Sequence, residues 1–141
     1  KLVDEKKMSL EVSAFNISNE DYSTYVILSL PIGATKLETL IEEMSEEVDK
    51  IQTELISEKD YQKLQNQFES SFVSANSTVE RIANSLAEYY TFYGDTDLIN
   101  KELDLYKSIT REEIRSVAQH YLQPNQRLEL HYLPESQKEK E

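Results

Sequence analysis

Leu37, Leu40, Ile41, Met44, Val48, Ile51 and Leu55 recur at i, i+3, i+4, i+7, i+11, i+14 and i+18. At 3.6 residues per turn that spacing lays them on one continuous stripe, which predicts a long amphipathic helix. Such a helix needs an apolar surface to lie against, and the residues before it supply one. Met8, Leu10, Val12 and Ala14 alternate with Ser9, Glu11 and Ser13, the period of a half-buried strand over 8–15. Tyr22–Leu30 reads as a second strand, with Val26, Leu28 and Leu30 on one face and Tyr25 and Ile27 on the other. Between them NISNED (16–21) is rich in turn formers. The two strands therefore form a hairpin with a rather long loop, closed by PIG at 31–33.

Helix-start signals punctuate the remainder. Thr35 with Glu38 reads as a capping box, in which each side chain satisfies an otherwise orphan backbone N–H. Ser57 with Asp60 opens a second helix, with Tyr61, Leu64, Phe68 and Phe72 on one face. Ser77 with Glu80 opens a third, with Val79, Ile82, Ala83, Leu86, Tyr90 and Tyr93 inward, and Gly94 suits its left-handed end. A short helix runs from Asp97 to Tyr106. Thr110 with Glu113 is the cleanest box, flanked by Ile109 and Ile114 at the hydrophobic-staple positions. Ile114, Val117, Ala118, Tyr121 and Leu122 form its buried face, and Pro124 stops it. Arg127–Leu133 alternates again, with Leu128, Leu130 and Tyr132 on one face.

The expected fold is thus α+β: an antiparallel hairpin, about five helices packed on one face, then a final strand. A sheet of three strands leaves edges that need partners, so the natural sheet is expected to be larger. The chain starts at once on strand-like material, which predicts a piece of a longer protein.

The chemistry the chain can carry is narrow. A net charge of −12 opposes binding to nucleic acid, which needs clustered Lys and Arg, and to anionic membranes. No apolar run reaches the roughly 18–20 residues of a bilayer span. The absence of cysteine removes disulfides, thiol catalysis and Cys-based zinc sites. The compartment stays open, with periplasm or cell envelope and cytoplasm both compatible. The two histidines, His120 and His131, are separated by Pro124 and a change from helix to strand, so they lack the one-turn spacing of a zincin. Glu129 and His131 share a strand face but read as an exposed surface; His120 reads as a helix C-terminal residue favoured by the dipole. EEMSEE (42–47) reads as a solvated helix face, and AEYYTFYGD (87–95) as core or a partner surface. Gly33 and Gly94 alone cannot build a phosphate loop. No catalytic residue, metal ligand or cofactor-binding residue is therefore assigned.

The order of the elements, more than any one motif, resembles something. Ile109, Thr110, Glu112, Glu113, Ile114, Val117, Ala118, Tyr121 and Leu122, followed by LELHYLP, resemble the closing pattern of domains in the insulinase/pitrilysin-like zinc metallopeptidases, the family that includes the mitochondrial processing peptidases. Ile56, Ser57 and Asp60 resemble the start of the preceding long helix in that family. The resemblance covers about residues 8–134. It implies a partial two-layer sandwich with an incomplete sheet, residues 1–134 being a half-domain and 135–141 a solvated tail. The family's inverted His-x-x-Glu-His string is not in this sequence, so zinc would belong to the parent protein's catalytic domain and this chain to a non-catalytic part. That part would line a substrate chamber and contact the catalytic domain in cis or in a partner subunit, with self-association through an open sheet edge as a further expectation. Some family members lend an Arg and a Tyr from this hairpin. Tyr22 and Tyr25 match the tyrosine, giving two substrate-contacting candidates, whereas residues 8–30 hold no arginine. Two other readings remain: a purely structural subunit, as the core proteins of respiratory complex III are, and an acidic α+β interaction module.

Overall fold

The computed structural model describes residues 1–132. The expected Leu133, Pro134 and tail 135–141 lie outside the described residues. The order is β1 (Ser9–Ser18), β2 (Ser23–Pro31), α1 (Leu37–Thr53), α2 (Glu58–Ala75), α3 (Val79–Tyr93), α4 (Leu98–Ser108) and α5 (Arg111–Tyr121), followed by a 3₁₀ turn at Pro124–Gln126. The α+β expectation of a hairpin and five helices holds, with a small open sheet.

The hairpin is longer than expected and its loop shorter. Asn16, Ile17 and Ser18 pair with Tyr25, Thr24 and Ser23, and the Asn19 N–H donates to the Tyr22 carbonyl at 3.0 Å. Polar composition alone does not end a strand while its backbone groups still find partners across the ladder. The register also decides which faces meet. Val12 and Ala14 oppose Ser29 and Ile27, while Glu11, Ser13 and Phe15 oppose Leu30, Leu28 and Val26. Each face of the ribbon is therefore partly apolar. An irregularity between Ser9 and Glu11 bends the start of β1. Buried Ser9 holds that place, its hydroxyl 2.8 Å from both the Leu30 carbonyl and Ser29 Oγ, and 2.6 Å from the Glu11 carbonyl.

The helices follow the stripes, with small shifts at their starts. At α1 the first bond runs from Leu40 N–H to the Lys36 carbonyl at 3.1 Å, one residue later than a Thr35 cap would set it. The α2 cap is as expected: Ser57 Oγ accepts from Asp60 N–H at 3.0 Å. The α3 cap is Thr78 rather than Ser77, accepting from Arg81 N–H at 3.3 Å. Ser77 turns back instead to the Ser74 carbonyl at 2.8 Å, because a hydroxyl at a junction can serve either helix end. Gly94 ends α3 in the left-handed region at φ 68°. The Thr110 box is complete: Thr110 N–H reaches Glu113 Oε2 at 2.7 Å and Glu113 N–H reaches Thr110 Oγ1 at 3.2 Å.

Two expectations are corrected. Residues 127–132 form no ladder among the described residues: strand shape is local, but a strand exists only when a neighbour accepts its N–H and C=O groups. The α3 stripe expected inward is largely exposed at Val79, Ile82, Tyr90 and Tyr93, since a stripe is buried only where a second element covers it.

By its contacts the chain divides into two compact units, one of Lys1–Lys50 with the segment from Ala118 onward and the other of Ile51–Val117. Leu2, Leu40 and Ala118 are the buried apolar residues among those described, and all lie in the first unit. In the second unit, α2 and α4 meet through a close Phe68–Tyr106 ring stack with centroids 3.5 Å apart.

Candidate functional site

The hairpin carries the two substrate-contacting candidates. Tyr22 closes the turn, where its carbonyl accepts from Asn19, and its side chain is 71% exposed. Tyr25, opposite Asn16 on β2, is 51% exposed. The two are three apart on an extended chain, so they point to opposite faces of the ribbon. Around them Phe15, Ile17, Ile27 and Leu28 are also exposed. Residues 8–35 contain no Lys or Arg, and Glu11, Glu20 and Asp21 give that stretch a negative balance. Chemically it offers apolar contact, phenol hydroxyls and the open ladder edges of a two-stranded ribbon; it offers no general acid–base pair.

Both histidines are exposed. His120 sits in the last turn of α5, edge-on to the Tyr121 ring at 4.6 Å. His131 Nε2 lies 3.7 Å from Glu129 Oε2. No group of three or more His, Asp or Glu side chains among the described residues is placed to hold a metal ion.

The acidic run 42–47 does more than face water. Glu43 and Glu47, one turn apart on α1, pair with Lys6 and Lys1 of the N-terminal turn, the latter at 2.7 Å; Lys50 adds a second ammonium to Glu47 at 2.8 Å. Lys1 first, then Lys50, hold the Glu47 carboxyl down at about 2. The N-terminal turn is thereby pinned to α1, with Leu2 buried. Sequence periodicity missed this because the partners are about 40 residues away; the i, i+4 spacing of the two glutamates was the available signal.

In the second unit an open cleft of about 360 Å³ is lined by Glu58, Tyr61, Thr110, Arg111 and Glu112, where the starts of α2 and α5 come together. Arg111 is neutralised there by Glu58 at 2.8 Å. Tyr61 donates its hydroxyl to the Ile109 carbonyl at 2.6 Å and accepts from Gln65 at 2.6 Å. Both helix starts are already capped by their own side chains, so the cleft works as a joint. At the other end, Tyr89 donates to Glu102, tying α3 to α4; burial, and then the adjacent carboxylate, raise the phenol far above its ordinary value.

Neither a protein-family model nor any curated protein sequence matches the chain. Solved structures do match in fold. The inactive peptidase domain of a candidate zinc protease from Bordetella parapertussis is similar at TM-score 0.82 and 14% identity, over 96% of this chain and 72% of that one. A candidate zinc protease from Bordetella pertussis gives 0.77 and 16%, over 92% and 71%. A protease from Helicobacter pylori gives 0.80 and 19%, over 89% of this chain but 30% of that one, so this chain spans less than a third of that enzyme. The fold is thus that of zinc-protease peptidase domains, including one described as inactive.

Proposed function

We propose that this chain is the non-catalytic trailing part of a zinc-dependent peptidase of the insulinase-like kind, residues 1–134 forming a half-domain. It contacts the catalytic domain in cis or in a partner subunit and contributes wall surface to the chamber that holds the substrate peptide. The observation that carries this reading is the likeness, over 96% of the chain, to a peptidase domain described as inactive. The exposed apolar hairpin supports it, since apolar ribbon faces of this kind mark surfaces that meet a partner. Tyr22 and Tyr25 contact the peptide, each through an apolar ring with a hydroxyl at its rim. The hydrolytic step, a metal-activated water attacking a peptide carbonyl, belongs to the parent protein's zinc site.

The test compares this chain with its parent protein or native complex on a quenched peptide, with metal content measured in parallel. The chain alone is expected to hold no stoichiometric zinc and to cleave nothing. The parent cleaves in a zinc-dependent way, and Tyr22→Ala with Tyr25→Ala raises KM there more than it lowers kcat. Zinc-dependent cleavage that stays with the purified chain, or a parent that binds no zinc and cleaves no peptide, overturns the proposal; the second result favours a purely structural subunit.

A further inference from the structure

The segment after α5 turns its apolar side to water. Leu128, Leu130 and Tyr132 are 92%, 88% and 95% exposed. On the other side Arg127 pairs with Glu129, and His131 lies 3.7 Å from the same carboxylate. Contacts at i and i+2 require the three side chains to share one side of an extended backbone, and Arg127 is extended at φ −100°, ψ 134°. Its guanidinium also donates to Ser45 Oγ at 3.0 Å, anchoring the segment's start on α1. Residues 127–132 are therefore strand-shaped, with an apolar face and no ladder partner among the described residues.

The segment is also complementary to itself. Two copies running antiparallel and centred on Leu130 set Leu130 opposite Leu130, Leu128 opposite Tyr132, and Glu129 opposite His131 twice. The adjacent register centred on Glu129, with the same faces aligned, sets Glu129 opposite Glu129, carboxylate against carboxylate; the one centred on His131 sets His131 opposite itself and no longer brings Glu129 to face it. Cross-strand charge and apolar pairs favour the first register over the other two.

We propose that residues 128–132 form an antiparallel strand pair between two copies of this chain, with Leu130 on the two-fold axis and Glu129 facing the partner's His131. Each copy uses the same patch, as a two-fold interface requires. A ribbon of this length is small, so the association is weak and concentration-dependent. It does not rest on the peptidase reading, because it is read from mass rather than cleavage.

Sedimentation equilibrium on the full chain, from micromolar to millimolar concentration, tests it. The wild type is expected to move from monomer to dimer. Leu130→Lys puts two ammonium groups at the axis and keeps the chain monomeric. His131→Glu sets carboxylate against carboxylate and weakens the dimer on the order of tenfold. Adding Glu129→Lys to His131→Glu restores it to wild-type strength or better. All three side chains are exposed, and helix content by circular dichroism checks that each variant folds. A wild type that stays monomeric throughout overturns the proposal, as when this chain's own hairpin edge or another protein's strand takes the segment. So does a dimer unmoved by Leu130→Lys, or a double variant no stronger than His131→Glu.

Discussion

Thr110 and Glu113 show how much one well-placed pair determines. Each donates to and accepts from the other across the first turn of α5, and the backbone N–H of Thr110, then its hydroxyl, hold the Glu113 carboxyl below its ordinary value. Thr110→Ala removes the cap and the hydroxyl that donates to Glu113, leaving only the backbone N–H on that carboxyl, and is expected to cost about 1 kcal/mol in a urea melt, whereas Thr110→Ser costs little. Glu47 makes a pH prediction. Its folded value, about 2, lies below the ordinary 4.5, so its pairing with Lys1 and Lys50 contributes fully above about 4.5 and is lost as pH falls through about 2. Amide shifts of residues 1–7 followed from pH 6 to pH 2 are expected to move in that lower window. In Glu47→Gln that component is absent.

At the scale of elements, the period-two and period-3.6 stripes named the hairpin and all five helices in order, because periodicity is a local property that packing then uses. Their ends were less legible. Lys36 stands where Thr35 was expected, and Thr78 where Ser77 was, because neighbouring hydroxyls and backbone turns compete within one residue of each other. Gly94 needed no such competition: at φ 68° with nothing within 4 Å of an added Cβ, the constraint is conformational alone. Gly94→Ala is expected to lower stability by about 1 kcal/mol without disturbing neighbours, and Gly94→Asn by less, read as thermal midpoints. The joint at Tyr61 belongs to this scale too. Its hydroxyl links the start of α2 to Ile109 just before α5, and Tyr61→Phe is expected to cost about 1 kcal/mol.

At the scale of the whole molecule, the sequence by itself determined the fold class, the order of the hairpin and five helices, and the absence of cysteine chemistry. Those follow from residue type and spacing, which act over a few residues. The tertiary structure decided what spacing cannot carry. It set the hairpin register that puts apolar residues on both ribbon faces, and it bound the acidic run of α1 to lysines about 40 residues away. It left the α3 stripe and the Leu128–Tyr132 face exposed. An apolar pattern states that a surface seeks cover; whether anything covers it depends on which other elements are present, and that is a property of the assembled chain and its partners.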